Sequence, residues 1–154
     1  MLEDLISRPW MLPGHARTLA RLNRQLSAID APAHWLQVSD GVSVVHLDLN
    51  PDNVKLTPAG PVVIDWSRAA RGSGDFYAAF TYVVLRTGET GAGPAGRVVV
   101  ASLRNRFAAA FLRRYGAADV RPHIRAAAEL RLLDPSLTAG QRERVFALAR
   151  GELD

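Results

Sequence analysis

Three oxygen-bearing side chains stand out by type and spacing. Asp48 follows His46-Leu47, Asn53 comes five residues later, and Asp65 closes the apolar run Val62-Val63-Ile64 twelve residues beyond Asn53. Taken singly, Asp and Asn favour turns, and each would be read as a loop residue. Together they supply what phosphoryl transfer requires. One carboxylate is needed near an acceptor hydroxyl, and a few oxygen ligands are needed for magnesium, which fills the rest of its octahedron with water and phosphate oxygens. The charge distribution agrees. From Asp40 to Asp75 five acids face Lys55, Arg68 and Arg71, a net of −2, whereas from Arg97 to Arg131 eight arginines face Asp119 and Glu129, a net of +6. Carboxylates gathered against their mutual repulsion need a reason such as a divalent cation.

These residues need elements to aim them. Val42, Val44 and Val45 predict a short strand running into His46. Asn53 to Thr57 and Pro61 to Ile64 predict two more, joined as a hairpin by the turn signal Pro58-Ala59-Gly60. A loop between short strands can turn Asp48 and Asn53 to one side, and the hairpin returns the chain so that Asp65 arrives beside Asn53. His46 is placed to brace that loop. Arg68 to Asp75, with Gly72 and Gly74, reads as a loop with solvated arginines.

Helices are predicted around this β element. Pro13-Gly14 should break the chain. His15 to Ile29 then reads as an amphipathic helix with Leu19, Leu22, Leu26 and Ile29 on one stripe and Arg17, Arg21 and Arg24 off it. Asp30 to Gly41 is a connector. Phe76 to Thr87 is apolar enough for a buried helix, Gly88 to Pro94 is a break, and Ala95 to Tyr115 is a long helix stopped at Gly116. Asp119 is expected to cap a helix reaching Leu133, with Pro122 in its first turn, and Thr138 to cap a last helix ending near Arg150. The expected fold class is α+β, mostly α-helical, in one domain over residues 1–154 with a helical extension over 95–151.

The run HLDLNPDNVKLTPAGPVVIDWSRAARGSGDFYAAF resembles the catalytic core of the aminoglycoside phosphotransferase and choline kinase-like superfamily, small-molecule relatives of the protein kinases. The preceding LARLNRQLSAIDAP is similar to that family's helix before the catalytic loop, and the resemblance is strongest over residues 12–85. It implies a protein-kinase-like C-lobe. It implies Asp48 as the catalytic or acceptor-orienting carboxylate, Asn53 and Asp65 as ligands of Mg²⁺, and ATP or GTP as co-substrate. His46 and Asp75 then give structural support, and the γ-phosphoryl group passes to a small-molecule hydroxyl. Leu47 stands where the family has a small residue, Asn50 where it often has His, and Asn23 and Ser27 where its helix usually shows His.

The sequence has no G-x-G-x-x-G or P-loop, and its one lysine, Lys55, lies on the hairpin. The family's N-terminal nucleotide-binding lobe has no counterpart in it. Losing a phosphate-pairing lysine and two or three backbone donors removes on the order of 5 kcal/mol, or about three to four powers of ten in rate. The chain is therefore expected to be a truncated form, weak or inactive alone. The alternative is a non-catalytic pseudo-kinase remnant or regulatory binding module. Expected partners are the small-molecule hydroxyl substrate and a separate N-lobe chain, or self-association through an apolar face that such a lobe would cover.

Composition excludes several other classes. The 154 residues are 48% hydrophobic, which disfavours disorder, and the absence of cysteine rules out disulfides, thiolate metal sites and a Cys nucleophile. No apolar run approaches the ~20 residues of a membrane span, and Met1 to Trp10 lacks a secretory core, so the expected location is cytoplasmic with no membrane partner. His15, His34 and His123 have no ligand spacing. Trp10, Trp35 and Trp66 read as packing residues. The arginines of 97–131 read as a solvated face, and with no binding motif or interleaved aromatics nucleic acid is not an expected partner.

Overall fold

The computed structural model describes residues 1, 7–89 and 94–152, leaving aside the side chains of 9 and 94–100. The architecture is α+β and mostly helical. Helix α1 (Leu12–Ser27) leads through a connector to strand β1 (Ser43–Val45). Strands β2 (Val54–Thr57), β3 (Gly60–Val63) and β4 (Ala70–Gly72) follow, then helices α2 (Gly74–Thr87), α3 (Pro94–Tyr115), α4 (Ala117–Val120), α5 (Ile124–Leu132) and α6 (Ala139–Ala149). No described helix is long and apolar enough to cross a membrane.

The strands form two antiparallel pairs, one nested inside the other. β2 and β3 make the expected hairpin, in the register Val54↔Val63. β1 pairs with β4, matching Val45 to Ala70 and Ser43 to Gly72. Residues 46–69 therefore leave and re-enter the domain at one ladder, which holds the two ends of the Asp48–Asp65 segment together. Gly41 explains how closely the connector approaches that ladder. Its φ is +123°, and a Cβ there would sit 2.8 Å from the Gly72 carbonyl oxygen and from backbone atoms of Ser73, which leaves room only for glycine.

α2 is the central helix. Phe76 to Leu85 are all buried, as expected for a helix apolar on every side. α1 and α3 pack against one side of it, with Leu19, Phe107 and Phe111 in the core; α5 and α6 pack against another, with Val145 in the core. Asn23 bonds across this core, its Nδ2 donating to Thr81 Oγ1 at 2.9 Å. Leu49 and Val54 are fully buried in the same core and pin the segment that carries Asp48 and Asn53.

Several local expectations are corrected. Pro13 and Gly14 start α1 rather than interrupt the chain, because a proline in a first helical turn lacks only an N–H that would have no partner there. Residues 70–72 form a strand, not a loop. Asp119 lies inside the short α4, and α5 begins at Ile124 after a 3₁₀ turn over Arg121–His123. Thr138 caps α6 as expected, in a reciprocal box with Gln141. The expected break at Gly88 to Pro94 falls largely outside the described residues.

Candidate functional site

The segment His46–Arg68 is organised by asparagines. Asn50 caps the 3₁₀ turn Pro51–Asn53: its Oδ1 accepts the N–H of Asp52 at 2.8 Å and of Asn53 at 3.3 Å. Its Nδ2 donates to the Asp48 carboxylate and main-chain carbonyl, at 3.1 Å each. Asn53 Nδ2 reaches the same two acceptors, at 2.8 Å to Asp48 Oδ2 and 2.9 Å to the carbonyl. Two side-chain amides thus hold Asp48 in one orientation. Because the nitrogen of Asn53 is committed to Asp48, its amide oxygen is left as a free acceptor among the described residues.

Asp65 reaches this group through the hairpin ladder. The Asn53 carbonyl accepts the Ile64 N–H at 3.0 Å, so Asp65 lies one residue past a backbone pair with Asn53. The Ser67 hydroxyl donates to Asp65 Oδ1 at 2.7 Å. That bond and the Ser67 N–H, helped by His46 and Arg68, hold the Asp65 carboxyl below its ordinary range. Asp48 and Asp65 both act electrostatically on the His46 ring and on the Arg68 guanidinium.

Two non-glycine residues adopt left-handed backbone here, Leu47 at φ 57° and Asp65 at φ 61°, the only such pair among the described residues. This conformation costs roughly 1–2 kcal/mol for an L-residue, and such strain gathers at functional turns. It also explains why a small residue would be the easier choice at position 47.

His46 is fully buried. Its Nε2 lies 3.0 Å from the Ile64 carbonyl, and its ring meets the Trp66 indole edge-on at 4.8 Å. It therefore links the turn before Asp65 to the strand before Asp48. Burial lowers its pKa below 6.5 and outweighs the raising effects of the Ile64 bond and the two carboxylates. A folded-state pKa below the unfolded one means that the unfolded chain binds the extra proton. Stability should fall as pH drops below about 6.5 and level off beneath the folded value. Melting temperatures across this range should show a weaker pH dependence in His46→Gln than in the parent protein; an identical dependence would exclude His46 as the source.

Asp75 stands apart from this group. It is exposed in the first turn of α2, where a carboxylate suits the helix N-terminus, and it acts on the Tyr115 hydroxyl.

Sequence reasoning missed the link from this segment to the helical bundle. Arg68, read from sequence as a solvated loop residue, is exposed but tied to the bundle. Its Nη1 donates to Asp134 Oδ2, and Arg131 Nη1 donates to the same oxygen at 2.8 Å. The other carboxylate oxygen accepts the Ser136 N–H at 2.9 Å and hydroxyl at 2.6 Å. Arg131 and Arg68 both feel Asp48, so this cluster borders the site. The signal in the sequence is Asp134-Pro135-Ser136, an Asx-turn pattern, and it says nothing of a partner 66 residues away.

No group of three or more His, Asp or Glu side chains able to hold a metal occurs among the described residues. The oxygen donors here are one amide, Asn53, and one carboxylate, Asp65. Both are hard oxygen donors of the kind Mg²⁺ takes, since it keeps several waters and few protein ligands. No family model matches the chain, and neither a curated protein nor a solved structure matches it.

Proposed function

We propose that this domain is the C-terminal lobe of a kinase-like phosphotransferase, which moves the γ-phosphoryl group of ATP or GTP to a small-molecule hydroxyl. The observation that carries this reading is the double role of Asn53: its side-chain nitrogen fixes Asp48 while its main chain pairs with Ile64 next to Asp65. Asp48 orients the acceptor hydroxyl and takes its proton as the oxygen attacks the γ-phosphorus. The bond to the bridging oxygen breaks, and the nucleoside diphosphate departs. Asn53 and Asp65 would hold Mg²⁺, which when bound supplies charge stabilisation on the phosphates. His46 and Ser67 set the orientation of the Asp65 turn. The nucleotide phosphates need further donors, which this reading assigns to a second lobe, on this chain or another.

The test is thermal denaturation with magnesium and ATP or GTP. Nucleotide at ten times its Kd should add about 1.4 kcal/mol, raising the melting temperature by a few degrees. Asp65→Ala should lose this shift, whereas Asp48→Asn should keep it, because Asp48 acts on the acceptor. No shift at millimolar nucleotide would favour the non-catalytic remnant, and the same shift in Asp65→Ala would reject the proposal.

A further inference from the structure

α1 and α3 contain no acidic residue. Elsewhere several arginines meet acids: Arg68 and Arg131 share Asp134, Arg125 meets Glu129, Arg144 meets Glu89 and Arg150 meets Glu152, while Arg104 and Arg142 donate to main-chain carbonyls. Where α1 packs on α3, most arginines have neither kind of partner among the described residues. Arg17, Arg21, Arg106, Arg113 and Arg114 are exposed and form no ion pair among the described residues. Arg24 is partly engaged, its Nη2 donating to the Tyr115 carbonyl at 2.5 Å. Arg17 and Arg21 are four residues apart and Arg21 and Arg24 three, spacings at which like charges on a helix repel.

These arginines line two adjoining grooves. One, of about 480 Å³, has Arg17, Arg21, Arg24 and Arg114 around a floor that includes Ala20 and Ala28. The other, of about 640 Å³, shares Arg114, adds Arg106 and Arg113, and has Trp10 at its edge with Ala109 and Ala110 beneath. The Trp10 indole is 73% exposed, so it is not the packing residue expected from sequence.

We propose that this double groove binds single-stranded nucleic acid. Planar guanidinium forks match backbone phosphates. Alanine floors let a chain lie close between the helices, and an exposed indole beside them offers a stacking face for a base. A duplex is read by an element that enters its groove, whereas here the protein is the concave partner. A membrane-surface helix turns its large apolar side chains outward, but Leu19 and Leu22 of α1 are buried in the core. The arginines are exposed, as read from sequence, and this proposal makes part of that solvated face a binding surface, because folding sets Trp10 beside arginines about a hundred residues away.

The inference does not depend on the phosphotransferase reading and is tested separately. The full chain is titrated with a labelled oligothymidylate of about 12 nucleotides. Binding should weaken steeply between about 50 and 200 mM salt, with a log–log slope of up to about −4 for six phosphate contacts. The double substitution R21Q/R114Q should weaken binding about tenfold or more and make the slope shallower by about 1.4. Trp10→Ala should weaken it about five- to a hundredfold with the slope unchanged. Asp65→Ala should bind as the parent does, whatever its response to nucleotide. All substitutions but Asp65→Ala are at exposed positions of this face, and unchanged melting temperatures would verify that they fold. Absence of binding at low salt would overturn the proposal. So would unchanged affinity in R21Q/R114Q, or preference for a duplex or for vesicles of anionic phospholipid.

Discussion

Asp134→Ala should destabilise the fold by about 3–5 kcal/mol, the range for removing one partner of a buried ion pair. Asp134 is 9% exposed and accepts from two guanidiniums and from the hydroxyl and N–H of Ser136. The two arginines do not contribute equally. Arg68 is 42% exposed and recovers water when the carboxylate goes, so its share is small. Arg131 is 11% exposed and its Nε already lacks a partner; without Asp134 it is a nearly buried, unneutralised cation. Arg68 above all, with Ser136 assisting, holds the Asp134 carboxyl well below its ordinary 3.8. A folded pKa below the unfolded one gives stability that is complete above about 3.8 and lost as pH falls toward the folded value. Urea denaturation at neutral pH should show the full loss in Asp134→Ala. The gap between the parent and the isosteric Asp134→Asn should narrow in strong acid. A neutral-pH loss below about 1 kcal/mol would mean that the cluster is a surface pairing and no anchor for the Asp65 turn.

Phe111→Ala should cost a similar amount, about 3–5 kcal/mol, by a different mechanism. Phe111 is fully buried on the stripe Phe107, Phe111, Tyr115 of α3, its ring stacked on Tyr115 with centroids 6.1 Å apart. Truncation leaves a cavity where α3 meets α1 and α2, and helix backbones tied at both ends close little of it. A domain of ordinary stability, about 5–15 kcal/mol, would then approach its unfolding threshold at physiological temperature. Phe146, 48% exposed on α6, is the control: Phe146→Ala should change the denaturation midpoint little. Equal losses at the two positions would contradict the core described here.

The two residues also separate what could be read from sequence and what could not. The helix that carries Phe111 was legible, because its local pattern predicts residues 95–115 as helical with a stop at Gly116, but its apolar residues mark no single face, so the burial of Phe107, Phe111 and Tyr115 was settled by packing. The same local code made the hairpin legible at Pro58-Ala59-Gly60 and the α6 cap legible at Thr138. Asp134 was not legible as a partner of Arg68, since nothing within a few residues of either names the other.

Strand β4 shows the same limit. Ala70-Arg71-Gly72 has weak strand preference and lies in a glycine-rich stretch; it is extended because β1 offers it a ladder and Gly41 lets the connector lie against its end. By itself the chain determined most of the helices and the hairpin, which follow from side-chain periodicity and turn chemistry within about a dozen residues, whereas the split between α4 and α5 was not legible. Tertiary structure alone decided that β1 and β4 close residues 46–69 into one loop. It also decided that Arg68 is spent on the bundle, and that Trp10 joins the unpaired arginines of α1 and α3. Those outcomes depend on contacts between residues far apart along the chain, and the local preferences of neither partner encode them.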